Sequence, residues 1–212
     1  KLIDNSFRDL NFAYANEIAL ICENLKLDAL EVIKAAGTAY PRTNVPVPGF
    51  VGGSCLEKDP YILFEVAKNN GYVPHLIKNA RVVNEIIPSH VAQKIANHLK
   101  ANGKDFKAAK IFISGFAFKG QPDNDDMRGS LTLDLLNELR NLGFANIYGH
   151  DFLVSKSDLS SLNVKVCSVE GGFSNADAVV VATNHTGYYN LNSANLAYTM
   201  NKLSIIIDVW RV

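Results

Sequence analysis

Partway along this chain the hydrophobic period changes, and that change restricts the fold more than any other feature. Over residues 5–36 apolar side chains recur at helical spacing, with Phe7, Leu10, Ala13, Tyr14, Ile18, Ile21 and Leu25 on one broad face and Leu30 and Ile33 after a short break. The pattern predicts helix packed on helix. A short helix over residues 60–69 and a long one over 76–99 follow, with Pro88 expected to kink or interrupt the second and Asn102-Gly103-Lys104 to end it. Beyond that point short β-rich runs alternate with helical stretches, at residues 110–115, 147–150, 164–166, 179–182 and 204–208. Between the first two runs, Leu131, Leu135, Leu136, Leu139 and Leu142 form one helical stripe that stops at Gly143, a good residue just past a helix end. Strands alternating with helices imply βαβ units, a mostly parallel sheet, and ligands at the carboxyl ends of its strands. The expected division is an all-helical unit over residues 1–103 and an α/β unit over 104–212.

Composition narrows the function classes. Among 212 residues, 21 Lys and Arg balance 21 Asp and Glu, so no net field draws the chain to nucleic acid or to an anionic membrane. No apolar run reaches the roughly 20 residues of a membrane span, and Lys1-Leu2-Ile3-Asp4-Asn5 is not a signal peptide. The chain lacks a starting Met, begins inside a helical pattern and ends just past a strand. It reads as a piece of a longer protein. Cys22 falls in an apolar helical pattern and Cys167 in an alternating strand, so both are read as structural; no paired or CxxC spacing indicates a disulfide framework or a metal site. A cytoplasmic setting is expected.

Cys55 is different. It stands in Gly52-Gly53-Ser54-Cys55-Leu56-Glu57-Lys58-Asp59-Pro60, at the end of a proline- and glycine-rich loop over residues 37–55 that includes Pro41, Pro46, Pro48 and Gly49. Glycines let backbone approach a substrate closely, and a loop of that length in a compact domain is usually functional or disordered. We read it as substrate-binding. Asp59 before Pro60 predicts a helix N-cap with proline at the first helical position, which sets Cys55 just outside a helix N-terminus. The partial positive charge there, with Lys58 nearby, favours a thiolate.

In the second half the loop over residues 116–130 leaves the first strand and carries Lys119, Asp125, Asp126 and Arg128, but no GxGxxG fingerprint. Lys119 and Arg128 are read as ligand-binding because that loop is where open sheets bind. Asp125 and Asp126 are read as a charge pair stabilising the next helix. His185 is read as a loop residue near the ligand end of the sheet, with no metal spacing around it.

Together these residues resemble the UDP-glucose/GDP-mannose dehydrogenase family over the whole chain. Residues 49–59 resemble its nucleophile segment, with Glu57 where many members have proline. Gly115-Phe116-Ala117-Phe118-Lys119 followed by Asp125-Asp126-Met127-Arg128 resembles its nucleotide-binding loop. Ala182-Thr183-Asn184-His185, and the opening Lys1, Asn5 and Phe7, also match. The resemblance implies a helical central domain that dimerises, a Rossmann-like UDP-sugar-binding domain, and an N-terminal NAD-binding domain absent from this chain. It implies oxidation of the C6 alcohol of a UDP-sugar to a uronic acid with NAD, in nucleotide-sugar metabolism. Cys55 would form a thiohemiacetal and then a thioester, while Lys1 and Asn5, one helical turn apart, stabilise the oxyanion. Asp59 would position or activate the hydrolytic water.

For the substrate, the resemblance implies contacts from Lys119, Gly52, Phe50, Arg42 and Arg211, with Arg42 reaching the diphosphate across a subunit boundary. For NAD it implies Lys58 and Arg128, most of that site lying in the absent domain, so that this chain alone should not turn over. Lys119-Gly120-Gln121-Pro122 is spelled more like members that act on N-acetylated sugars. A noncatalytic nucleotide-sugar-binding or dimerisation module, with Cys55 incidental, is the alternative. A cysteine hydrolase would need a histidine beside Cys55, and His75, His90, His98, His150 and His185 all lie well away in sequence.

Overall fold

A computed structural model describes residues 1–40 and 42–212; Pro41, assigned above to the substrate loop, lies outside the described residues. The first half is helical as expected. Helix α1 (Leu2–Leu25) ends where Lys26 turns left-handed and its N–H bonds back to Glu23. Helix α2 (Ala29–Gly37) begins at Asp28, whose carboxylate accepts the N–H groups of Leu30 and Glu31. Helices α3 (Asp59–Asn69) and α4 (His75–Ala101) complete it, and α1 packs on both α2 and α3. Pro88 does not interrupt α4. Proline removes one backbone donor, and the bonds on either side carry the helix through.

The packing face of α1 needs correction. Phe7, Tyr14, Ile21 and Leu25 are 64%, 54%, 49% and 63% exposed, whereas the buried positions include Ser6, Asp9, Ala13, Asn16 and Cys22. The inner side of α1 is committed to polar groups that hold a loop, so its apolar stripe is left on the outside.

The second half is a five-stranded parallel sheet in the order β3-β2-β1-β4-β5. The strands are β1 (Lys110–Ser114), β2 (Asn146–His150), β3 (Lys165–Val166), β4 (Ala178–Val181) and β5 (Ile205–Asp208). Helices α5 (Leu131–Asn141), α6 (Lys156–Ser161), α7 (Val169–Phe173), α8 (Thr186–Tyr189) and α9 (Ser193–Ala197) connect them. Central β1 and β4 read as continuous apolar runs because both faces are covered; Ile111, Phe112, Ile113, Val179 and Val180 are wholly buried. Helix α5 buries Leu131, Leu135, Leu136 and Leu139 and closes at Gly143, whose φ of 97° and N–H to Arg140 make the expected left-handed stop. At the base of the sheet Asp177 accepts from Lys104 Nζ, the Lys110 N–H and Asn201 Nδ2, pinning the start of β1 to that of β4.

The chain divides into two compact units, Lys1–Ile87 and Pro88–Val212, so the division falls inside α4, upstream of the 103/104 boundary expected from sequence. The later half of α4, where Ala92, Ile95 and Leu99 are wholly buried, goes with the α/β unit. Among the described residues no helix is long and apolar enough to cross a membrane.

Candidate functional site

In the helical unit, Cys55 sits in a turn that runs directly into α3. Gly53 takes a φ of 98°, closed to most side chains, and its carbonyl accepts the Glu57 N–H at 3.0 Å. The Cys55 carbonyl accepts the Asp59 N–H at 2.9 Å, so Cys55 and Asp59 stand one helical turn apart. Asp59 is not the helix cap expected from Asp-Pro. Lys58 holds that position without a side-chain cap, and Asp59 begins the helix with Pro60 second. The Asp59 carboxylate, 2% exposed, turns instead to α1 and accepts the Asn5 amide at 2.6 Å. Lys1 caps α1 and its carbonyl accepts the Asn5 N–H at 2.9 Å.

The fold thus joins Asn5 and Asp59 directly and sets each one turn from Lys1 and Cys55 respectively. Cys55 is half-buried and unpaired. A primary amide carries two N–H donors, so Asn5 can hold Asp59 with one and offer the other to a developing oxyanion. Gly52 is partly open, whereas Phe50 is buried at 4%. Arg42 lies against the Tyr40 ring and lines a cavity of about 700 Å³ with Asp4, Arg8 and Tyr14. Lys58 is exposed and lines a second cavity of about 560 Å³ along α3, beside Tyr61 and Glu65.

In the α/β unit, strand order reverses on the two sides of β1, so the crevice beyond the carboxyl ends of β1 and β4 is the topological switch point. The loop bearing Lys119 leaves β1 there. Asp151, just past β2, accepts four N–H groups: Phe116 at 2.6 Å and Ala117 at 3.2 Å on one oxygen, Leu153 at 2.9 Å and Val154 at 3.1 Å on the other. Asn184, just past β4, accepts the Gly120 N–H at 2.9 Å. A side chain at Gly120 would collide with the backbone at His185, and one at Gly115 with Thr183. The space beside both glycines is therefore filled by protein, and neither leaves an open glycine cradle after β1. Lys119 is half-buried with its ammonium 5.3 Å from the Phe118 ring centre.

Asp126 does not act as a helix N-terminal charge, since α5 is capped by Ser130. It clasps Arg128, with Nη2 to Oδ2 at 2.8 Å and Nε to Oδ1 at 2.9 Å. The hydrogen bonds from Arg128 hold its carboxyl below the usual range. Arg211 follows a turn in which Asp208 accepts the Trp210 N–H at 3.1 Å, beyond the end of β5. His185 caps α8, accepting the Gly187 N–H, and stacks on Phe152 at 4.7 Å. Among the described residues no cluster of three or more His, Cys, Asp or Glu could hold a metal.

Sequence reasoning missed two sets of residues. Asp151 could have been found as a lone carboxylate directly after a predicted strand. Asp9, Asn16, Arg81 and Asn84 could have been found only as polar residues on the inner side of helices.

These features define a helical unit with a cysteine turn followed by a parallel α/β unit whose strand ends open on a crevice at the switch point. Residues 1–86 match the UDP-glucose/GDP-mannose dehydrogenase family, central domain, and residues 112–212 match the same family's UDP binding domain. The chain belongs to the UDP-glucose/GDP-mannose dehydrogenase family. It is 38% identical to a UDP-N-acetyl-D-mannosamine dehydrogenase of Pyrococcus horikoshii over 98% of this chain and 46% of that protein. It is 35% identical to one of Campylobacter jejuni over 91% of this chain and 46% of the relative. A solved Pyrococcus horikoshii UDP-D-ManNAc dehydrogenase structure superposes with a TM-score of 0.83 at 30% identity, covering 100% of this chain and 51% of that one. The chain spans about half the length of the curated relatives it matches.

Proposed function

We propose that this chain carries the nucleophile and the nucleotide-sugar-binding parts of an NAD-dependent UDP-sugar 6-dehydrogenase. The observation that carries this reading is the 2.6 Å bond from Asn5 to buried Asp59, which ties an amide to a carboxylate standing one turn from an unpaired cysteine. NAD, when bound, accepts the hydride that leaves C6 in each of two successive oxidations. After the first, Cys55 Sγ adds to the C6 aldehyde, and Asn5 and Lys1 donate to the oxygen that gains charge. The second oxidation leaves an acyl group on Sγ. Asp59 takes a proton from the water that cleaves this thioester, releasing the carboxylate and restoring the thiol.

Lys119, Gly52, Phe50, Arg42 and Arg211 are the proposed substrate contacts. For NAD, Lys58 and Arg128 suit a diphosphate by charge, the Arg128 side chain being 80% exposed. The filled glycines after β1 do not make a dinucleotide cradle, which fits a limited NAD contribution from this part of the chain. The exposed Phe7, Tyr14, Ile21 and Leu25 stripe supports a homodimer through α1. Three free thiols fit a cytoplasmic setting. The names of the relatives, with the spelling of residues 119–122, favour a UDP-N-acetylhexosamine as substrate.

The test is to incubate the full-length protein with NAD and a panel of UDP-sugars, and to follow NADH. Two NADH per uronic acid, lost in Cys55→Ser, supports the reading. A Cys55 that alkylates slowly, gains no protection from UDP-sugar and can be replaced without loss supports a noncatalytic binding module instead.

A further inference from the structure

The helical unit buries a charged network that the chemistry above does not use. Asp9, Arg81 and Asn84, with exposures of 0%, 1% and 0%, lie on α1 and α4, and Asn16 at 2% lies beside them. Their bonds converge on the loop around Cys55. Arg81 Nη2 donates to the Val51 carbonyl at 3.0 Å and Nη1 to the Leu56 carbonyl at 3.2 Å, one on each side of the cysteine. Nη1 also donates to Asp9 Oδ1 at 2.7 Å, and Asn84 Nδ2 reaches the same oxygen at 2.9 Å. Asn16 pairs with Gly49 as one strand pairs with another, Oδ1 accepting its N–H at 2.8 Å and Nδ2 donating to its carbonyl at 3.0 Å. Asn16 Nδ2 also reaches Asn84 Oδ1 at 2.9 Å. Arg81 Nε makes an ion pair with Glu85 at 3.2 Å, and Glu85 accepts the Tyr61 hydroxyl of α3 at 2.9 Å. One guanidinium therefore addresses a carbonyl four residues before the nucleophile, the carbonyl of the residue after it and, through Glu85, the helix that follows.

Apolar packing could cover this loop, but it could not specify the direction of the Val51 and Leu56 carbonyls. A planar fork of five donors can. We propose that Arg81, aligned by Asp9 and Asn84 and assisted by Asn16 at Gly49, is a positioning residue that fixes where Cys55 presents its sulfur. This rests on the reading of Cys55 as the nucleophile. Because the thiol is needed only after the aldehyde exists, a misplaced loop should slow the second oxidation and spare the first.

The experiment is Arg81→Lys in the full-length protein, which keeps a cation opposite Asp9 and removes the second arm of the fork. Stopped-flow NADH formation resolves the two oxidations, thermal unfolding reports stability, and iodoacetamide reports Cys55 without any cofactor. The expected result is a second oxidation slowed about 100-fold, the size of effect known for small misplacements of reacting groups. The first should stay within about threefold, and Cys55 should alkylate faster as the loop opens locally. Asn16→Ala, which frees Gly49 and leaves the ion pair intact, should show the same pattern more weakly and decides the matter if Arg81→Lys does not fold. Equal slowing of both oxidations in a folded variant, or no change in either, overturns the proposal. Failure of the underlying reading looks different, since wild type would then lack the two-NADH stoichiometry or Cys55→Ser would keep it.

Discussion

The two loops that carry the proposed chemistry are held by opposite devices. The Cys55 loop is fixed by buried side chains from two helices, whereas the Lys119 loop is fixed by short polar side chains at the ends of β2 and β4. The difference follows from backbone accounting. A helix spends its own N–H and C=O groups internally, so it can grip a neighbouring loop only with side chains. A parallel sheet has rigid strand ends from which one carboxylate can collect several N–H groups at once. The first device needs a charge pair out of water, which costs heavily to bury but supplies direction; the second needs only a partly buried aspartate.

Removing one partner of the buried pair should be the most damaging change. Asp9→Ala leaves the Arg81 charge buried with only neutral partners and the half-exposed Glu85, and should destabilise the helical unit by about 3–5 kcal/mol, measured by chemical denaturation. A loss below about 1 kcal/mol would mean that water reaches Arg81 and that the helical device resembles the strand-end one after all.

Next comes Asp177, the polar pin in the sheet. Burial alone would raise its carboxyl, but hydrogen bonds from Lys104, the Lys110 N–H and Asn201 outweigh burial and hold it below its ordinary value of 3.8. A carboxyl depressed in the folded state contributes stability above its unfolded value, and that contribution is lost as pH falls through the lower folded value. Asp177→Asn should therefore cost about 1–3 kcal/mol at neutral pH. The gap from wild type should close progressively below about pH 4. A gap that stays constant from pH 7 to pH 3 would show that the pin works by shape rather than charge.

How far these devices could be read from the chain depends on how local they are. The strands and the leucine stripe of α5 announce themselves by period, and the nucleophile turn by its glycines, because each is written in neighbouring residues. The inner side of α1 is not. Phe7, Tyr14 and Ile21 predict an intrachain core by the same rule that makes α5 legible, yet they face outward, and the buried Asp9 and Asn16 answer to Arg81 and Asn84, which are 72 and 68 positions away. Asp59 shows the same limit at short range. Asp-Pro predicts a cap, but a partner 54 positions earlier in the chain, Asn5, takes the carboxylate. Periodicity reports which residues are apolar, and it is silent about polar groups that are buried because they face one another.

The strand-end device gives the third test. Asp151→Ala releases the N–H groups of Phe116 and Ala117 together with those of Leu153 and Val154. Asp151 itself is only partly buried, so water can reach the site it leaves, and the cost should be about 1–2 kcal/mol. The functional effect should exceed it. Lys119 would no longer be held at the switch point, and UDP affinity by calorimetry should fall about tenfold, equivalent to about 1.4 kcal/mol. The alkylation rate of Cys55 should not move, because the loop around it is held by different residues.

The smallest effect expected lies at the far end of the Lys119 loop. Ser130 caps α5, and its hydroxyl accepts the Thr132 N–H at 3.3 Å, a long bond. Ser130→Ala should cost about 1 kcal/mol, and less if that length reflects a weak cap. Asp151 and Asn184 grip the loop near β1, so loss of the cap should leave UDP affinity within about twofold. A larger fall in affinity would locate the control of Lys119 in α5 rather than at the strand ends, and would make this loop, like the one around Cys55, dependent on a helix.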